Sequence, residues 1–486
     1  MKMPGKTVRT RFAPSPTGFM HVGNLRTALY AFLLARSQNG KFILRIEDTD
    51  QARYVEGAVD VIYKTLESAG ITHDEGPDVG GDFGPYIQSE RKKLYLPYAE
   101  ELVKKGAAYY CFCDKQEAAD PAPEGDPAVS GYDGRCRNLD PETVAANLAA
   151  GKPYVIRQKI DKDGVSTYHD AVYGEITIEN KVLDDQILIK RDGMPTYNFA
   201  NVIDDHTMGI THVVRGCEYL PSTPKYNLLY RAFGWEVPEY VHLPLIMGRD
   251  AEGNVSKLSK RHGSVSFEGL VAEGYLPAAV INYIALLGWS PKNDREIFSL
   301  AELEQIFNVN GLNKSAAVFD YDKLTWMNGE YIKALSPEAF AALAFPFSKL
   351  AGTALEEKWL LIAPLLQQRV EKLTDIPEKI GFLSEQPDYS AELFRNKKSK
   401  ATPETAKAAL EALIPEFEAL EAWDVESLNA VMTRYAEAQG VKIGQPMWAI
   451  RIGVSGLAVT PGGPSEIMTI LGREESLRRL QLARQK

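Results

Sequence analysis

A chain of 486 residues and 53.9 kDa is longer than one hydrophobic core usually supports, which predicts about three compact units. Its net charge of −10 argues against a protein that coats nucleic acid nonspecifically, although it leaves room for one specific RNA on a locally basic face. The first residues lack the apolar core of a signal peptide, and no stretch approaches the ~18 apolar residues of a membrane span, so we expect a cytoplasmic protein.

The first predicted elements form a strand, a helix and a second strand. Residues 7–13 (TVRTRFA) have the pattern of a strand, which must end where the Pro/Gly-rich loop 14–18 begins. A helix with an apolar stripe over 25–33 follows and stops near Gly40, and residues 41–47 (KFILRIE) form the next strand. This order predicts a parallel βαβ unit, in which ligands bind at the carboxyl ends of the strands.

The loop after the first strand offers polar groups but is not a P-loop. Gly18 and Gly23 have the spacing of the two P-loop glycines. Asn24 and Leu25, however, occupy the positions where that loop needs Lys and Ser or Thr. Free N–H groups and the positive dipole end of the following helix should attract phosphate, although a simple glycine turn with a surface histidine is the alternative. The polar side chains at this helix start are Ser15, Thr17, His21 and Asn24.

Three of the four cysteines lie near one another in the sequence. Cys111 and Cys113 precede Cys136, whereas Cys217 is distant, and so few cysteines do not make a disulfide framework. Three thiolates suggest a metal site, although structural zinc needs four ligands and buried free cysteines are the alternative. The segment 114–134 is rich in Ala, Pro, Gly and Asp without periodicity, which predicts a mobile insertion.

The α/β alternation resumes after this segment. Residues 186–202 predict two strands joined by a tight turn at Asp192–Gly193. A strand at 211–216, a helix opened by residues 222–224 and a strand at 240–247 follow. The nucleotide-binding fold is therefore expected to be split by an insertion.

A second motif, KLSKR at 257–261, follows the turn-prone segment 248–254 and is predicted to lie on a flexible loop. A charge run is usually solvated surface. Combined with the His/Gly loop, however, a mobile cationic loop could close over one triphosphate, because phosphoryl chemistry needs positioning and charge neutralisation. Beyond residue 336 strand signals become scarce, and Ser-Pro-Glu at 336–338 and Thr-Pro-Glu at 402–404 predict helix starts.

These motifs resemble those of the glutamyl-tRNA synthetases of bacterial type, a class I family. RFAPSPTGFMHVGN is similar to the extended HIGH motif, and KLSKR is similar to the KMSKS motif. The resemblance covers nearly the whole chain. Further matching stretches are RIEDTD at 45–50, GPDVGG at 76–81, YDGR at 132–135, PTYNFANVIDDH at 195–206 and STPKYNLLYRAFGW at 222–235.

The resemblance implies a fold class and a domain order. It implies an α/β Rossmann-type catalytic domain split by an α+β insertion and followed by a mainly α-helical C-terminal half. The implied domains are the first Rossmann part at 1–93, an inserted acceptor-binding domain with a zinc site at 94–200, the second Rossmann part at 201–256, the KMSKS loop and stem-contact domain at 257–335, and a helical anticodon-binding domain at 336–486.

The resemblance also implies a site for each substrate. Arg215 would hold the side-chain carboxylate of glutamate with Arg11 nearby, because the planar fork of arginine suits a carboxylate, and Glu47 would face the ammonium. The alternative for each arginine is a structural salt bridge. The implied glutamate site is Arg11, Ser15, Glu47, Tyr197, Asn201 and Arg215; the implied ATP site is Pro14, Ser15, Pro16, His21, Gly23, Asn24, Glu218, Ile246, Lys257, Ser259, Lys260 and Arg261; the catalytic residues are His21, Lys257 and Lys260.

Cofactors and partners follow from the same resemblance. ATP with Mg²⁺, L-glutamate and tRNA(Glu) are the implied substrates, and the family expectation is a monomer. Asn138 stands where many relatives have a zinc-binding histidine, so the implied zinc ligands are Cys111, Cys113, Tyr132 and Cys136. Arg369 matches an arginine that reads the third anticodon base in relatives that discriminate against tRNA(Gln).

Other functions share parts of this sequence pattern. A non-discriminating synthetase would charge tRNA(Gln) as well. An enzyme that glutamylates queuosine lacks the helical tail, a glutaminyl-tRNA synthetase would carry a β-barrel anticodon region, and a cofactor-making nucleotidyltransferase is usually much shorter. An inactive RNA-binding module should have damaged motifs, whereas His21, Lys260 and Arg215 are present.

Overall fold

The computed structural model describes residues 7–16, 18–49, 55–113, 132–250 and 252–486, and of Lys260 only the backbone. Thr17, Asp50 and most of the segment 114–134 lie outside these ranges. The strands are β1 (Arg9–Phe12), β2 (Lys41–Leu44), β3 (Ala108–Cys111), β4 (Val155–Gln158), β5 (Val165–Asp170), β6 (Gly174–Glu179), β7 (Ile187–Ile189), β8 (His212–Gly216), β9 (Glu239–Leu243), β10 (Ile246–Arg249), β11 (Val255–Lys257) and β12 (Ala317–Val318).

The helices form most of the remaining structure. They are α1 (Val22–Ser37), α2 (Ala58–Ser68), α3 (Lys92–Lys104), α4 (Pro141–Ala149), α5 (Tyr197–Thr207), α6 (Thr223–Phe233), α7 (Phe267–Ala272), α8 (Pro277–Leu286), α9 (Leu300–Ile306), α10 (Tyr321–Ala334), α11 (Pro337–Ser348), α12 (Trp359–Gln367), α13 (Ile376–Ser384), α14 (Pro403–Glu418), α15 (Val425–Ala438), α16 (Gly444–Ser455), α17 (Pro464–Leu471) and α18 (Arg473–Arg484). The chain divides into two compact units, Met1–Leu270 with Pro277–Tyr321, and Val271–Leu276 with Asp322–Lys486.

The first unit is built on a parallel sheet, as the sequence predicts. β1 pairs in parallel with β2, and β8 pairs in parallel with β9. The backbone N–H of Thr211 donates to the carbonyl oxygen of Arg9 at 2.9 Å, which places β1 beside β8. The carboxyl ends of four parallel strands therefore meet at one edge, which is where an open α/β sheet binds its ligands.

Helix α1 connects β1 to β2 and is buried on most of its circumference. Residues 28–35 are all buried, so the helix has more than the single apolar stripe expected from the sequence. The end of the helix also differs from the prediction, because Asn39 rather than Gly40 adopts the left-handed conformation, with φ of 53°. A Cβ on Gly40 would lie 2.3 Å from the carbonyl oxygen of Val8, so this glycine permits close approach of two strands.

The segment 186–202 contains one strand and one helix, and the second predicted strand is wrong. β7 ends at Ile189, the predicted turn follows with Gly193 at φ of 77°, and α5 begins at Tyr197. Within α5 the buried apolar residues recur at Phe199, Ala200, Val202 and Ile203, which is helical spacing. The burial of one face of α5 against the core therefore outweighs the strand-like pattern of residues 195–202.

The region between α3 and α5 contributes to two sheets. β3, β4 and β7 form an antiparallel sheet that packs on α3 and α6. The β5–β6 hairpin instead joins the parallel sheet, because Asp170 at the end of β5 pairs with Tyr240 of β9. Part of the range 94–200 thus extends the catalytic sheet, and the domain boundaries stay a prediction.

The predicted strand 240–247 is interrupted at Pro244, so that β9 ends at Leu243 and β10 begins at Ile246. The KLSKR segment that follows has regular structure where a flexible loop was expected. Lys257 ends β11, which pairs antiparallel with β10, and a 3₁₀ turn spans Lys260–His262.

The second unit is helical, and its two predicted helix starts are confirmed. Ser336 accepts a hydrogen bond from the N–H of Ala339, and Thr402 accepts one from the N–H of Thr405, as helix-capping residues do. Within the described ranges, no helix is both long and apolar enough to cross a membrane.

A buried arginine joins three elements of this unit. Arg479 of α18 is 1% exposed, and its Nη1 donates to the carbonyl oxygens of Phe382 at 2.8 Å and Val454 at 2.9 Å. Its Nη2 donates to Leu383 at 3.1 Å, and its Nε donates to Glu475 at 2.6 Å. One side chain therefore satisfies the carbonyl ends of α13 and α16.

Candidate active site

A cleft of about 1190 Å³ lies at the carboxyl ends of the parallel strands in the first unit. Arg11 reaches it from β1, Arg215 from β8 and Leu243 from β9, while Glu47 follows β2. The predicted site residues that line this cleft are Arg11, Pro14, Ser15, Pro16, His21, Gly23, Asn24, Glu47, Tyr197, Arg215, Glu218, Ile246, Lys257 and Ser259.

Three predicted residues have other positions. Asn201 of α5 is 3% exposed and does not line the cleft, and its Nδ2 is buried without a partner among the described residues. Arg261 is exposed and donates to Ser256 Oγ at 2.5 Å. The backbone of Lys260 lies in the 3₁₀ turn, and its side chain is outside the described part of the chain.

Aromatic rings enclose Arg215 at one end of the cleft. Its guanidinium carbon lies 5.0 Å from the ring centroid of Tyr219, 4.8 Å from that of Tyr226 and 5.3 Å from that of Tyr240. Arg215 is 6% exposed, and within the described residues it forms no ion pair with a carboxylate. A desolvated guanidinium in this state is suited to bind an anionic ligand through parallel hydrogen bonds.

Arg11 and Glu47 belong to a buried ion network. Arg11 Nε lies 3.1 Å from Asp205 Oδ1, and Arg45, whose side chain is fully buried, donates to Asp205 at 2.8 Å and to Glu47 at 2.9 Å. Burial raises the pKa of Glu47, although Arg45 and Arg11 oppose that shift. The network fixes both side chains at the cleft.

The imidazole of His21 closes the first turn of α1. Its Nδ1 accepts a hydrogen bond from the N–H of Gly23 at 3.0 Å, so the proton of the neutral ring is on Nε2. Burial lowers the pKa of His21, a hydrogen bond with the backbone of Leu258 opposes this, and the charge of Lys257 lowers it further. At neutral pH the residue is therefore a neutral N–H donor.

The first N–H groups of α1 are not free, contrary to the expectation from the sequence. The N–H of Val22 donates to the carbonyl oxygen of Val265 at 2.8 Å, and that of Asn24 donates to the carbonyl oxygen of His21 at 2.9 Å. With Gly23 bonded to the imidazole, phosphate contacts at this helix end fall to side chains and the helix dipole. The bond to Val265 also joins the start of α1 to the chain just after the KLSKR segment.

The charged lining of the cleft is predominantly cationic. This local excess of positive charge contrasts with the net charge of −10 of the whole chain and suits the binding of a triphosphate. The cations are Arg11, Arg26, Lys190, Arg215 and Lys257, and the carboxylates are Glu47 and Glu218.

Sequence reasoning missed two of these cations. Arg26 is buried in α1 and donates to the carbonyl oxygens of Leu287, at 3.0 Å, and Pro244. Lys190 donates to the carbonyl oxygen of Thr49 at 3.3 Å. A single cation in a helix or after a strand has no periodic signature, so the sequence offered no signal that these two line the cleft.

A second cluster lies in the β3–β4 region. The thiols of Cys111, Cys113 and Cys136 have all their sulfur atoms within 4.8 Å of one another, and those of Cys113 and Cys136 are 3.4 Å apart. Sulfur atoms bound to one tetrahedral zinc ion are roughly 3.8 Å apart, so the donor set fits this metal. The hydroxyl of Tyr132 accepts from the N–H of Cys136 at 3.3 Å, and Arg157 stacks on its ring at 3.8 Å.

In the second unit, Arg369 follows α12 and is exposed. Burial lowers the pKa of Arg451, and the positive charge of Arg369 lowers it further, while Glu466 opposes both. Trp448 and Arg451 share one face of α16, and the Nε1 and Nε atoms of these two side chains are buried without partners. The sequence singled out Arg369 alone, and the structure adds Arg451 and Trp448 to that surface.

Comparison with protein families matches nearly the whole chain. The catalytic domain of the class I tRNA synthetases (E and Q) matches residues 7–326, and an anticodon binding domain matches residues 333–484. The glutamate–tRNA ligase of Clostridium novyi is 56% identical over 487 residues, covering 100% of this chain and 99% of that protein. That of Clostridium botulinum is 54% identical over 479 residues, covering 98% and 97%.

Solved structures give the same result. A glutamate tRNA ligase from Elizabethkingia meningosepticum, in complex with its amino acid, has a TM-score of 0.87 at 36% identity and covers 99% of this chain and 100% of that one. A glutamate–tRNA synthetase from Elizabethkingia anophelis has a TM-score of 0.87 at 35% identity, with the same coverage.

Proposed function

This chain belongs to the class I glutamate–tRNA ligases, and we propose that it activates L-glutamate with ATP and transfers the glutamyl group to the 3′ end of tRNA(Glu). In the first step the α-carboxylate of glutamate attacks the α-phosphorus of ATP, and pyrophosphate leaves. In the second step the terminal ribose hydroxyl of the tRNA attacks the adenylate, and AMP leaves. The observation that carries the proposal is one cleft that holds both the enclosed Arg215 and the His21 and Lys257 side chains.

The glutamate end of the proposed site is the region of Arg215, Arg11 and Glu47. Arg215 binds the side-chain carboxylate, because its guanidinium has no carboxylate partner within the described chain. Glu47 faces the ammonium of glutamate, with Arg45 fixing its carboxylate. Ser15 and Tyr197 complete the pocket from the cleft wall, and Asn201 supports it from behind.

The ATP end uses the two motif segments. His21, as a neutral N–H donor, and Lys257 and Lys260, as cations, meet the charge that develops on phosphate oxygens. Magnesium bound to the triphosphate would supply further charge neutralisation, since the two carboxylates of the cleft are too few for a protein cage. The remaining proposed contacts are Pro14, Ser15, Pro16, Gly23, Asn24, Glu218, Ile246, Ser259 and Arg261.

The proposed tRNA contacts extend to the helical region 336–486. Two guanidinium groups beside a half-buried tryptophan form the kind of surface that binds unstacked RNA bases. We assign Arg369 to the third anticodon base and propose that the enzyme discriminates against tRNA(Gln). We further propose that bound tRNA is needed for efficient activation, that the enzyme is a monomer, and that it works in the cytoplasm, where its substrates are.

Zinc is the proposed structural metal of the β3–β4 region. Cys111, Cys113 and Cys136 would supply three thiolates, with the Tyr132 oxygen as the fourth ligand. The ion would supply the positive charge that keeps three adjacent thiolates stable and would hold the end of β3 against the following chain.

ATP–pyrophosphate exchange tests the proposed function. We expect exchange that requires both L-glutamate and tRNA(Glu), with little or none when glutamine replaces glutamate. Heat-inactivated enzyme and tRNA from which the 3′ adenosine has been removed are the controls. Exchange that proceeds equally with another amino acid, or no exchange under any of these conditions, would contradict the proposal.

A further inference from the structure

Two fully buried residues, Asp170 and His242, lie directly beneath Arg215 and form a hydrogen-bonded chain with it. Asp170 Oδ2 is 2.7 Å from His242 Nδ1, and Arg215 Nε is 3.1 Å from His242 Nε2. Asp170 and His242 are both 0% exposed. Neither residue lines the cleft, so they reach a ligand only through Arg215.

The partners of Asp170 fix the protonation state of His242. Asp170 Oδ1 accepts from the N–H groups of Val172 and Tyr173, at 2.9 and 2.8 Å, and Oδ2 accepts from the backbone N–H of His242 at 3.1 Å. These bonds hold the carboxylate in its charged form, and burial, which raises the pKa of Asp170, is outweighed by them. An ionised carboxylate only accepts, so Nδ1 of His242 carries the proton and Nε2 presents its lone pair to Arg215.

The other side of the guanidinium is fixed by Thr223. Arg215 Nη2 donates to Thr223 Oγ1 at 2.7 Å, and the single hydroxyl proton of Thr223 is donated to the carbonyl oxygen of Tyr219 at 2.8 Å. Thr223 and His242 Nε2 are therefore both acceptors, which leaves Arg215 as the donor to each. The other N–H groups of Arg215 have no hydrogen-bond partner among the described residues, and Arg215 lines the cleft.

A neutral histidine does what a carboxylate could not do in this position. A carboxylate next to Arg215 would neutralise its charge and compete with a ligand carboxylate for the same N–H groups. The imidazole orients the guanidinium by one hydrogen bond and leaves its charge for the ligand, while Asp170 is one ring further away. Burial lowers the pKa of His242, Asp170 opposes that shift, and Arg215 adds to it, so the neutral form is retained.

We propose that Asp170 and His242 are positioning residues that set the direction and the free charge of Arg215, and that they thereby determine the preference for glutamate over glutamine. This inference rests on the proposed function. With Nε and one N–H of Nη2 engaged, the remaining N–H groups of Arg215 have a fixed direction, and a guanidinium offers donors only. Both oxygens of a carboxylate accept from such a surface, whereas the amide NH₂ of glutamine finds no acceptor there.

The test uses His242→Leu, His242→Gln and Asp170→Asn in the full-length enzyme, assayed with tRNA present. His242→Leu removes the acceptor at similar size, and we expect kcat/KM for glutamate to fall about 10- to 100-fold, mainly through KM, with KM for ATP unchanged. The preference for glutamate over glutamine should fall by a similar factor. In His242→Gln the side-chain oxygen takes the place of Nε2, so we expect much of the glutamate KM to be restored.

Asp170→Asn tests the protonation argument without changing size. The new amide N–H donates to His242 Nδ1, so the imidazole proton moves to Nε2. There it faces the N–H of Arg215, and two donors meet without an acceptor. We therefore expect a higher glutamate KM than in His242→Gln. His212→Gln is the matched control, since His212 is a buried histidine of β8 that pairs with Glu239 and lies apart from Arg215, and it should retain the kinetics of the unmodified enzyme.

The outcomes separate this inference from the proposed function. If the unmodified enzyme shows no glutamate-dependent exchange, the proposed function fails. If it does, and the His242 and Asp170 variants keep the glutamate KM and the glutamine rejection, the positioning role is wrong. An equal rise in KM for ATP and KM for glutamate would also overturn the positioning role, because that result indicates general damage to the fold. If His242→Leu does not fold, the order of glutamate KM values in His242→Gln and Asp170→Asn decides.

Discussion

At the scale of single residues, Arg215 is a buried cation that has aromatic and neutral partners but, in the described chain, no carboxylate partner. Arg215→Ala should reduce kcat/KM for glutamate by the equivalent of about 3 to 5 kcal/mol, because the ligand carboxylate then loses its buried charge partner. ATP affinity should survive. The measurement is steady-state exchange at varied glutamate and varied ATP.

Arg231→Ala is a suitable control for this variant. Arg231 lies on the exposed side of α6, does not line the cleft and donates to the carbonyl oxygen of Thr167, so its loss should leave glutamate use unchanged. Near-normal glutamate activation by Arg215→Ala would show that the carboxylate is bound elsewhere.

Lys260 tests the ATP end of the cleft. Lys260→Ala should slow adenylate formation by orders of magnitude and change tRNA binding little, because a cation in this motif acts on phosphate charge in the transition state. Single-turnover formation of the adenylate is the measurement, with Lys104→Ala, an exposed lysine of α3, as the control. Unchanged single-turnover rates in Lys260→Ala would remove this lysine from the catalytic set.

The residues found from the sequence were those that stand in short, ordered motifs. Arg11, His21 and Lys257 line the cleft because each belongs to a motif at the end of a strand or the start of a helix. Arg26 and His242 could not be found in the same way. The partners of Arg26 are more than 200 residues away in the sequence, and His242 acts through its hydrogen bond to Arg215. Local residue spacing does not encode either contact.

At the scale of elements, the errors concern short runs next to Pro and Gly. The run 195–202 is only eight residues long, so its pattern of apolar residues does not distinguish a strand from a helix. Packing against α6 decides for the helix, since Phe199 and Ile203 are buried together one turn apart. The existence of α1 and the start of α14 were predicted correctly, because an apolar stripe marks the first and a Thr-Pro-Glu capping sequence marks the second.

The cysteine cluster joins the end of β3 to the chain before α4. Cys113→Ser should abolish binding of close to one zinc ion per chain and loosen this region, because a structural metal site supplies folding free energy to the elements it links. Elemental analysis of metal-replete protein, with proteolysis of the region as a second measurement, checks this. Cys217→Ser is the control, since Cys217 lies outside the cluster. Metal-replete protein without zinc would reject the assignment.

Helix α18 depends on Arg479 in a way that its neighbour Arg478 does not share. Arg479→Leu should destabilise the protein by about 3 kcal/mol, since three buried carbonyl oxygens lose their donor. Arg478→Ala, which removes an exposed partner of the same Glu475, should change stability little. Unfolding free energies from denaturant titration compare the two, and equal effects would contradict the role of the carbonyl bonds.

At the scale of the whole molecule, two compact units correspond to two activities in the proposed function, chemistry in the first and anticodon reading in the second. The sequence predicted this order because composition and strand signals change along the chain. It did not predict that the β5–β6 hairpin returns to the catalytic sheet, since that pairing joins Asp170 to Tyr240 across three intervening strands and two helices.

Discrimination between tRNAs tests the helical unit. The unmodified enzyme should charge tRNA(Glu) and refuse tRNA(Gln), and Arg369→Gln should relax that preference by roughly 1 to 3 kcal/mol if a base contact is lost. Aminoacylation of both tRNAs by both enzymes is the measurement. Arg434→Ala, an exposed arginine of the same unit that pairs with Glu416, is the control. Comparable charging of both tRNAs by the unmodified enzyme would show that the assignment is wrong.

The guanidinium of Arg215 is held by the protein's own groups, namely His242, Thr223 and three tyrosine rings. A side chain that is ordered in advance loses little conformational entropy when its ligand arrives. The geometry that we propose to select glutamate is therefore set by the fold, and the entropy cost of ordering Arg215 on binding is small. A substitution that merely loosened the rings would weaken glutamate binding through entropy, without removing any contact to the ligand.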